Sequence, residues 1–237
     1  MPPLLVIKNL VKHYGKFQAV KGISFSVNKK EVFGLLGPNG AGKSTLMWML
    51  TGLSDPTSGD ATIDGVSIKD KKRLKHLIGF APQTDSFYPT FTVLENLVFF
   101  GKIYGLSKKE ATERADTLLE ELMLNDKRDA KGGSLSGGMK RRLNMAIALI
   151  HNPKLLFLDE PTVGVDPVSR AALWKVINRL RKNMSIVIST HYLIEAERLC
   201  DRVAIQRQGT LLIVAQPKDL VKKGQSLEDV FVNLVKS

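Results

Sequence analysis

Val32-Phe33-Gly34-Leu35-Leu36-Gly37-Pro38-Asn39-Gly40-Ala41-Gly42-Lys43-Ser44 is an apolar run that breaks into glycines and ends on a lysine and a hydroxyl. The apolar half reads as a buried strand. The rest fits G-x-x-x-x-G-K-[ST] without a mismatch. Residues 43–51 read as a helix that Gly52 stops. Strand, glycine loop and helix in that order make an anion cradle. Glycines let several backbone N–H groups turn toward phosphate oxygens, and the helix start adds the positive end of its dipole. Lys43 supplies a point charge for β- and γ-phosphates. Ser44 offers a hydroxyl to Mg²⁺, a cation that keeps oxygen ligands. The pattern implies a nucleoside triphosphate site and leaves kinase, GTPase and transport ATPase open.

Downstream, Leu155-Leu156-Phe157-Leu158-Asp159-Glu160 is an apolar strand that ends in two carboxylates. Ligands of α/β sheets sit at the carboxyl ends of strands, so both acids are expected beside the phosphates. Asp159 is assigned to the Mg²⁺ shell, and Glu160 to orienting and deprotonating an attacking water. A second apolar run, Ile186-Val187-Ile188-Ser189-Thr190, delivers His191 to the same edge. That histidine is either an ordinary surface residue or a hydrogen-bonding partner of the γ-phosphate, the water and Glu160.

Around these anchors the chain alternates. Residues 4–11 and 23–27 suit antiparallel strands, and further strands are expected at 155–158, 185–189, 203–206 and 211–215. Helices are expected at 167–181 and 192–199. Thr92-Val93-Leu94-Glu95 and Ser107-Lys108-Lys109-Glu110 are capping boxes that start helices over 93–104 and 108–123. Another helix covers 137–151, after a glycine-rich loop. Alternating strands and helices imply a mostly parallel sheet covered on its faces, here interrupted by helices near 87–152. Residues 55–59 carry turn chemistry.

Composition sets bounds. The 237 residues are 43% apolar and 24% charged, as in a globular protein. No run approaches the roughly 20 apolar residues of a spanning helix, and the start lacks a signal-peptide pattern. The single cysteine, Cys200, reads as a small packing residue and fits a reducing compartment. The net charge of +12 permits nucleic acid, an anionic membrane or an anionic ligand. Its densest run, residues 69–75, reads first as a solvated face and next as a neighbour of lipid headgroups.

Leu135-Ser136-Gly137-Gly138-Met139 precedes the 137–151 helix. Free N–H groups, a positive dipole end, the Ser136 hydroxyl and two glycines make this a second anion site. With it, the chain resembles the ATP-binding cassette family along essentially its whole length. The resemblance implies an α/β P-loop NTPase core with a mostly parallel sheet, an N-terminal antiparallel β segment and an inserted α-helical subdomain. It implies one nucleotide-binding domain over 1–237: core about 1–86 and 153–215, helical insertion about 87–152, tail 216–237. Gly37, Pro38, Asn39, Gly40, Ala41, Gly42, Lys43, Ser44 and Thr45 take the phosphates, and Tyr14 stacks on adenine. Ser44, Gln83 and Asp159 serve the metal, Glu160 and His191 catalysis, and Asp166 the D-loop. Leu135, Ser136, Gly137, Gly138 and Met139 form the signature that meets ATP held by a partner. Two points depart from the commonest pattern. Met139 replaces Gln and brings no amide donor, and Val163 stands where Ser or Ala is frequent.

The implied function is an ATP-hydrolysing subunit that powers translocation by a membrane transporter, with ATP and Mg²⁺ as cofactors. The implied partners are transmembrane permease subunits and a second copy, or a paralogue, in a head-to-tail pair. Its expected place is the cytoplasmic face of the cell membrane, held through the permease, with residues 83–100 toward that partner. Residues 139–143 and Ser226-Leu227-Glu228-Asp229-Val230-Phe231 resemble the type-2 exporter branch. The rival reading is a soluble cassette ATPase acting on nucleic acid or in protein or cofactor assembly. A single cassette without a coiled-coil insertion weighs against it, and no specific nucleic acid is expected.

Overall fold

The computed structural model describes residues 2–221 and 225–236; residues 1, 222–224 and 237 of the expected domain lie outside the described residues. Strands β1 (Leu5–Tyr14) and β2 (Phe17–Val27) form an antiparallel hairpin. Both run longer than the alternation in the sequence suggests. The register slips between Ile7 and Leu10 and again between Lys12 and His13, with Asn9 at φ 48°. Such bulges reset which side chains face inward and so hide the continuation from a period-two reading.

Next come β3 (Val32–Leu36), α1 (Lys43–Leu50), β4 (Ser58–Ile63), β5 (Val66–Ser67), α2 (Lys71–Leu77) and β6 (Ile78–Ala81). The last four carry no signal in the sequence. β4 begins inside turn chemistry. α2 buries only Leu74 and carries its cations in water, as the solvated-face reading requires. β6 is four residues long, and a Cβ at its Gly79 would stand 2.1 Å from the Ala148 carbonyl oxygen. That glycine is fixed by close approach of a later helix, not by strand propensity.

Helices α3 (Val93–Ile103), α4 (Lys108–Glu121) and α5 (Gly137–Leu149) follow, then β7 (Leu155–Asp159), α6 (Pro167–Leu180), β8 (Ser185–Thr190), α7 (Leu193–Leu199), β9 (Arg202–Arg207), β10 (Thr210–Ala215), α8 (Pro217–Leu220) and α9 (Leu227–Lys236). Both capping boxes form, at Thr92 with Glu95 and at Ser107 with Glu110. The larger sheet has the order β10-β9-β3-β8-β7-β6, with every neighbouring pair parallel except β9–β10. The smaller sheet, β2-β1-β4-β5, is antiparallel. This is the α/β P-loop NTPase fold.

The central strands are buried on both faces, and alternate residues serve two cores. Leu156, Leu158, Ile186 and Ile188 pack with α3, α4 and α5. Leu155, Phe157, Val187, Phe33 and Leu35 pack with α1 and the antiparallel sheet. A third cluster joins Leu36, Val203 and Ile205 to Leu227, Phe231, Leu234 and Val235, so the described part of the tail docks on the outer strands. Cys200 packs half-buried against it, its thiol pushed well up by desolvation.

Between β6 and α3 the chain is pinned by one buried amide. Asn96 Oδ1 accepts from Tyr88 N–H (2.8 Å), and Nδ2 donates to the carbonyls of Tyr88 (3.0 Å) and Thr92 (2.9 Å). Phe87 packs on the helical core, whereas Tyr88 stays exposed in a ring cluster with Phe91, Phe99 and Phe100. Replacing Asn96 by Ala removes the partner of the Tyr88 N–H, while the Tyr88 and Thr92 carbonyls keep bonds from Phe91 N–H and Asn96 N–H. The expected loss is about 1–3 kcal/mol of unfolding free energy, read by urea denaturation followed by circular dichroism.

Candidate active site

The loop after β3 is shaped by backbone that only glycine accepts. Gly40 and Gly42 have φ 78° and 100°, and a Cβ at Gly37 would lie 2.3 Å from the Gln206 carbonyl oxygen. Gly42 is the N-cap of α1 and offers no side chain to the first-turn N–H groups, which leaves them for an anion. They line a cavity of about 340 Å³ with Asn39, Lys43, Ser44, Thr45, Gln83, Glu160 and His191. Lys43 Nζ donates to the carbonyls of Gly37 (2.8 Å) and Pro38 (3.2 Å) and lies 3.3 Å from Glu160 Oε1. Gly37 and Pro38 thus orient the lysine, while residues 39–45 face the cavity.

β7 and β8 are adjacent and parallel, with Asp159 opposite Ser189. Asp159 ends its strand, buried. Its Oδ1 accepts from Ser189 Oγ and from Ser44 Oγ, the latter at 3.3 Å. Burial pushes its carboxyl above the usual range, against those two hydrogen bonds. Glu160 takes a left-handed backbone, φ 49°, uncommon for a non-glycine residue. Its N–H bonds both the Ser189 carbonyl (3.1 Å) and Ser189 Oγ (3.0 Å). That turn aims the side chain back at Lys43, and His191 Nδ1 closes on Glu160 Oε2 at 2.7 Å. The histidine is therefore bound to the acid, not a bystander on the surface.

Sequence reasoning passed over Glu195. Buried in α7, it accepts from Thr190 Oγ1 (2.6 Å), Thr162 Oγ1 and Trp174 Nε1 (3.4 Å). It ties the residues beside Glu160 and His191 to one helix. The only signal was spacing, four residues after His191. Phe17 was missed as well. It lines the cavity and is 65% exposed, while Tyr14, its hairpin partner, is 46% exposed with Lys12 Nζ 5.0 Å from its ring centroid.

Residues 135–139 lie outside this cavity. Ser136 caps α5, accepting from Met139 N–H at 3.4 Å. Gly137 is exposed, and a Cβ there meets nothing within 4 Å. Gly138 differs: a Cβ would stand 2.5 Å from Ser169 Cβ in α6, so its smallness serves helix packing. Leu135 is buried in the helical core and Met139 packs against it, which accounts for an apolar residue at 139. Asp166 caps α6, accepting from the N–H groups of Val168 and Ser169, each at 3.0 Å. α5 also grips the Gln83 segment. Arg141 donates to the Gln83 carbonyl, Asn144 bonds Thr84 and Ser86, and Lys140 pairs with Asp85 at 3.3 Å.

The donor set suits a hard cation delivered with a nucleotide. Asp159 is a buried carboxylate with a hydroxyl beside it and, among the described residues, no lysine or arginine in ion pair. Among the described residues no cluster of His, Cys, Asp and Glu forms a metal site unaided. An ion held by few protein oxygens plus phosphate and water matches the habit of Mg²⁺.

A family profile described as "ABC transporter" matches residues 20–163. The linearmycin resistance ATP-binding protein LnrL of Bacillus subtilis (strain 168) is 46% identical over 222 residues, 93% of this chain and 71% of that protein. The Nod factor export ATP-binding protein I of Burkholderia orbicola (strain AU 1054) is 43% identical over 217 residues, 91% of this chain and 71% of that protein. Among solved structures, an ATP-binding subunit of an ABC transporter superimposes with a TM-score of 0.86 at 32% identity, covering 98% of this chain and 99% of that one. The chain belongs to the ABC transporter family, as a nucleotide-binding subunit whose ATPase activity powers transport.

Proposed function

We propose that this chain is the motor of an exporter, working as a head-to-tail pair in which each ATP is gripped by residues 37–45 of one protomer and sealed by residues 135–139 of the other. The observation that carries the reading is Glu160, held between Lys43 and His191 at the cavity wall. A carboxylate so placed is positioned to orient a water and take its proton as the bond from the γ-phosphorus to the β–γ bridging oxygen breaks. His191 holds Glu160 in register. Lys43 exchanges loop carbonyls for phosphate oxygens. Tyr14 meets the adenine face, with Phe17 beside it. Mg²⁺, when bound, supplies charge neutralisation at the β- and γ-phosphates, and Ser44, Asp159 and Gln83 are the residues that hold it.

The proposed domain has its core in about 1–86 and 153–215, its helical insertion in 87–152 and its tail in 216–237. A cavity of about 500 Å³ lined by Trp48, Leu53, Phe80, Pro82, Phe100 and Tyr104 lies beside the Gln83 segment. Its apolar lining and the exposed Tyr88 suit an apolar helix of the permease, which supports a position at the cytoplasmic face of the membrane. No helix among the described residues is long and apolar enough to cross it. Closure of the pair on ATP and release after hydrolysis shift the permease between states. The export direction is supported by relatives whose names refer to linearmycin resistance and Nod factor export.

Glu160→Gln removes the base and keeps the shape. We expect roughly 10²–10⁴-fold slower ATP hydrolysis and a dimer that persists with ATP and Mg²⁺ in size-exclusion chromatography; unchanged turnover sinks the assignment. Gly137→Asp places a carboxylate at an open helix start, so the fold and ADP binding should survive. ATP-dependent dimerisation and turnover should fall, turnover by roughly 10²-fold. An active, dimerising Gly137→Asp protein argues against the cross-protomer seal.

A further inference from the structure

β9 is apolar through Val203, Ala204 and Ile205, and then buries an amide. Gln206 is 1% exposed, and neither its Nε2 nor its Oε1 has a hydrogen-bond partner among the described residues. A few other buried polar atoms lack partners, but among the described residues only Gln206 leaves both a donor and an acceptor unmet. Such a group costs free energy that an apolar side chain of the same shape would not.

Its location is specific. β9 lies beside β3 with Ile205 opposite Leu36, so Gln206 comes level with the start of the phosphate loop. The Gln206 carbonyl abuts Gly37. A Cβ on Gly42 would stand 2.7 Å from Gln206 Nε2 and 2.5 Å from the Ala19 carbonyl oxygen. The first and last glycines of the motif both rest on this one residue. The turn beyond it is fastened to the same loop, Gly209 N–H donating to the Ala41 carbonyl (2.9 Å) and Lys21 N–H to the Gly209 carbonyl (2.8 Å). Meanwhile Lys43 Nζ is engaged by the carbonyls of Gly37 and Pro38. A diphosphate draws that ammonium toward itself, and the loop backbone must find new partners.

We propose that Gln206 is a positioning residue for the phosphate loop, its carboxamide pairing with loop backbone when a nucleoside diphosphate moiety is bound and standing unpaired when it is not. The inference rests on the nucleotide-site reading above. It has a thermodynamic signature: the amide weakens the free protein and strengthens the complex.

Gln206→Met keeps the volume and removes both polar atoms. Calorimetric titration of the purified chain with ADP should give a dissociation constant roughly tenfold weaker for Gln206→Met, about 1.4 kcal/mol. Thermal unfolding without nucleotide should occur at higher temperature than in the wild type. ADP affinity within twofold of wild type overturns the inference while leaving the nucleotide site intact. A variant less stable than wild type without nucleotide overturns it too, because the amide would then be partnered in the free chain. Wild-type protein that does not bind ADP sinks the site reading itself. A second measurement uses ¹⁵N-glutamine labelling with the Gln206 side-chain signal assigned by its loss in Gln206→Met, because Gln83 also lines the cavity: ADP should shift the Gln206 signal and slow its solvent exchange. A Gln206 signal unchanged by bound ADP overturns the proposal.

Discussion

A buried carboxylate shared by a lysine and a histidine sets the demands that the rest of the fold meets. Glu160 is out of water, and a charge there is tolerable only with partners in good geometry. Lys43 comes from the helix after β3, the acid from the end of β7, and His191 from the end of β8. The order β3-β8-β7 is what brings the three to one edge. The left-handed turn at Glu160 is held by both oxygens of Ser189. Glu195 then braces Thr162 and Thr190, which flank the acid and the histidine in sequence. Each of these groups has its place because a neighbour would otherwise be left with an unmet charge or hydrogen bond.

Much of this was legible in the chain before any coordinates. The glycine loop announces itself because backbone that turns N–H groups inward excludes side chains, and the strand carrying Asp159 because full burial demands an unbroken apolar run. Capping boxes are equally local, and both formed. What escaped was set by tertiary contact. β6 is too short to show a period, and its Gly79 answers to the carbonyl of Ala148. The ends of β1 and β2 were hidden by bulges. α9 lies in residues expected only as a tail, and its role shows once Leu227 is seen against Val203 and Ile205. Glu195 and Gln206 look like ordinary polar residues in sequence; only burial distinguishes them.

The helical segment is joined to the core through more than apolar packing. α5 carries Ser136 and Gly137 at its start. From its next turns Lys140, Arg141 and Asn144 hold the stretch that contains Gln83. One rigid rod thus connects an exposed helix start to a residue on the wall of the phosphate cavity. The apolar cavity near Phe100 lies beside the same stretch. Displacement of α5 is therefore felt at Gln83 without passing through the sheet.

Gly138 adds a mechanical consequence. Its lack of a side chain lets the start of α5 nest against Ser169, two positions into α6 from the helix's first residue and three from the cap formed by Asp166. Two helix tips meshed that tightly cannot slide independently, so they behave as one tooth of a gear. In the proposed pair, a second protomer that engaged one tip would meet the other in fixed register, which favours all-or-none engagement over a graded series of partial contacts.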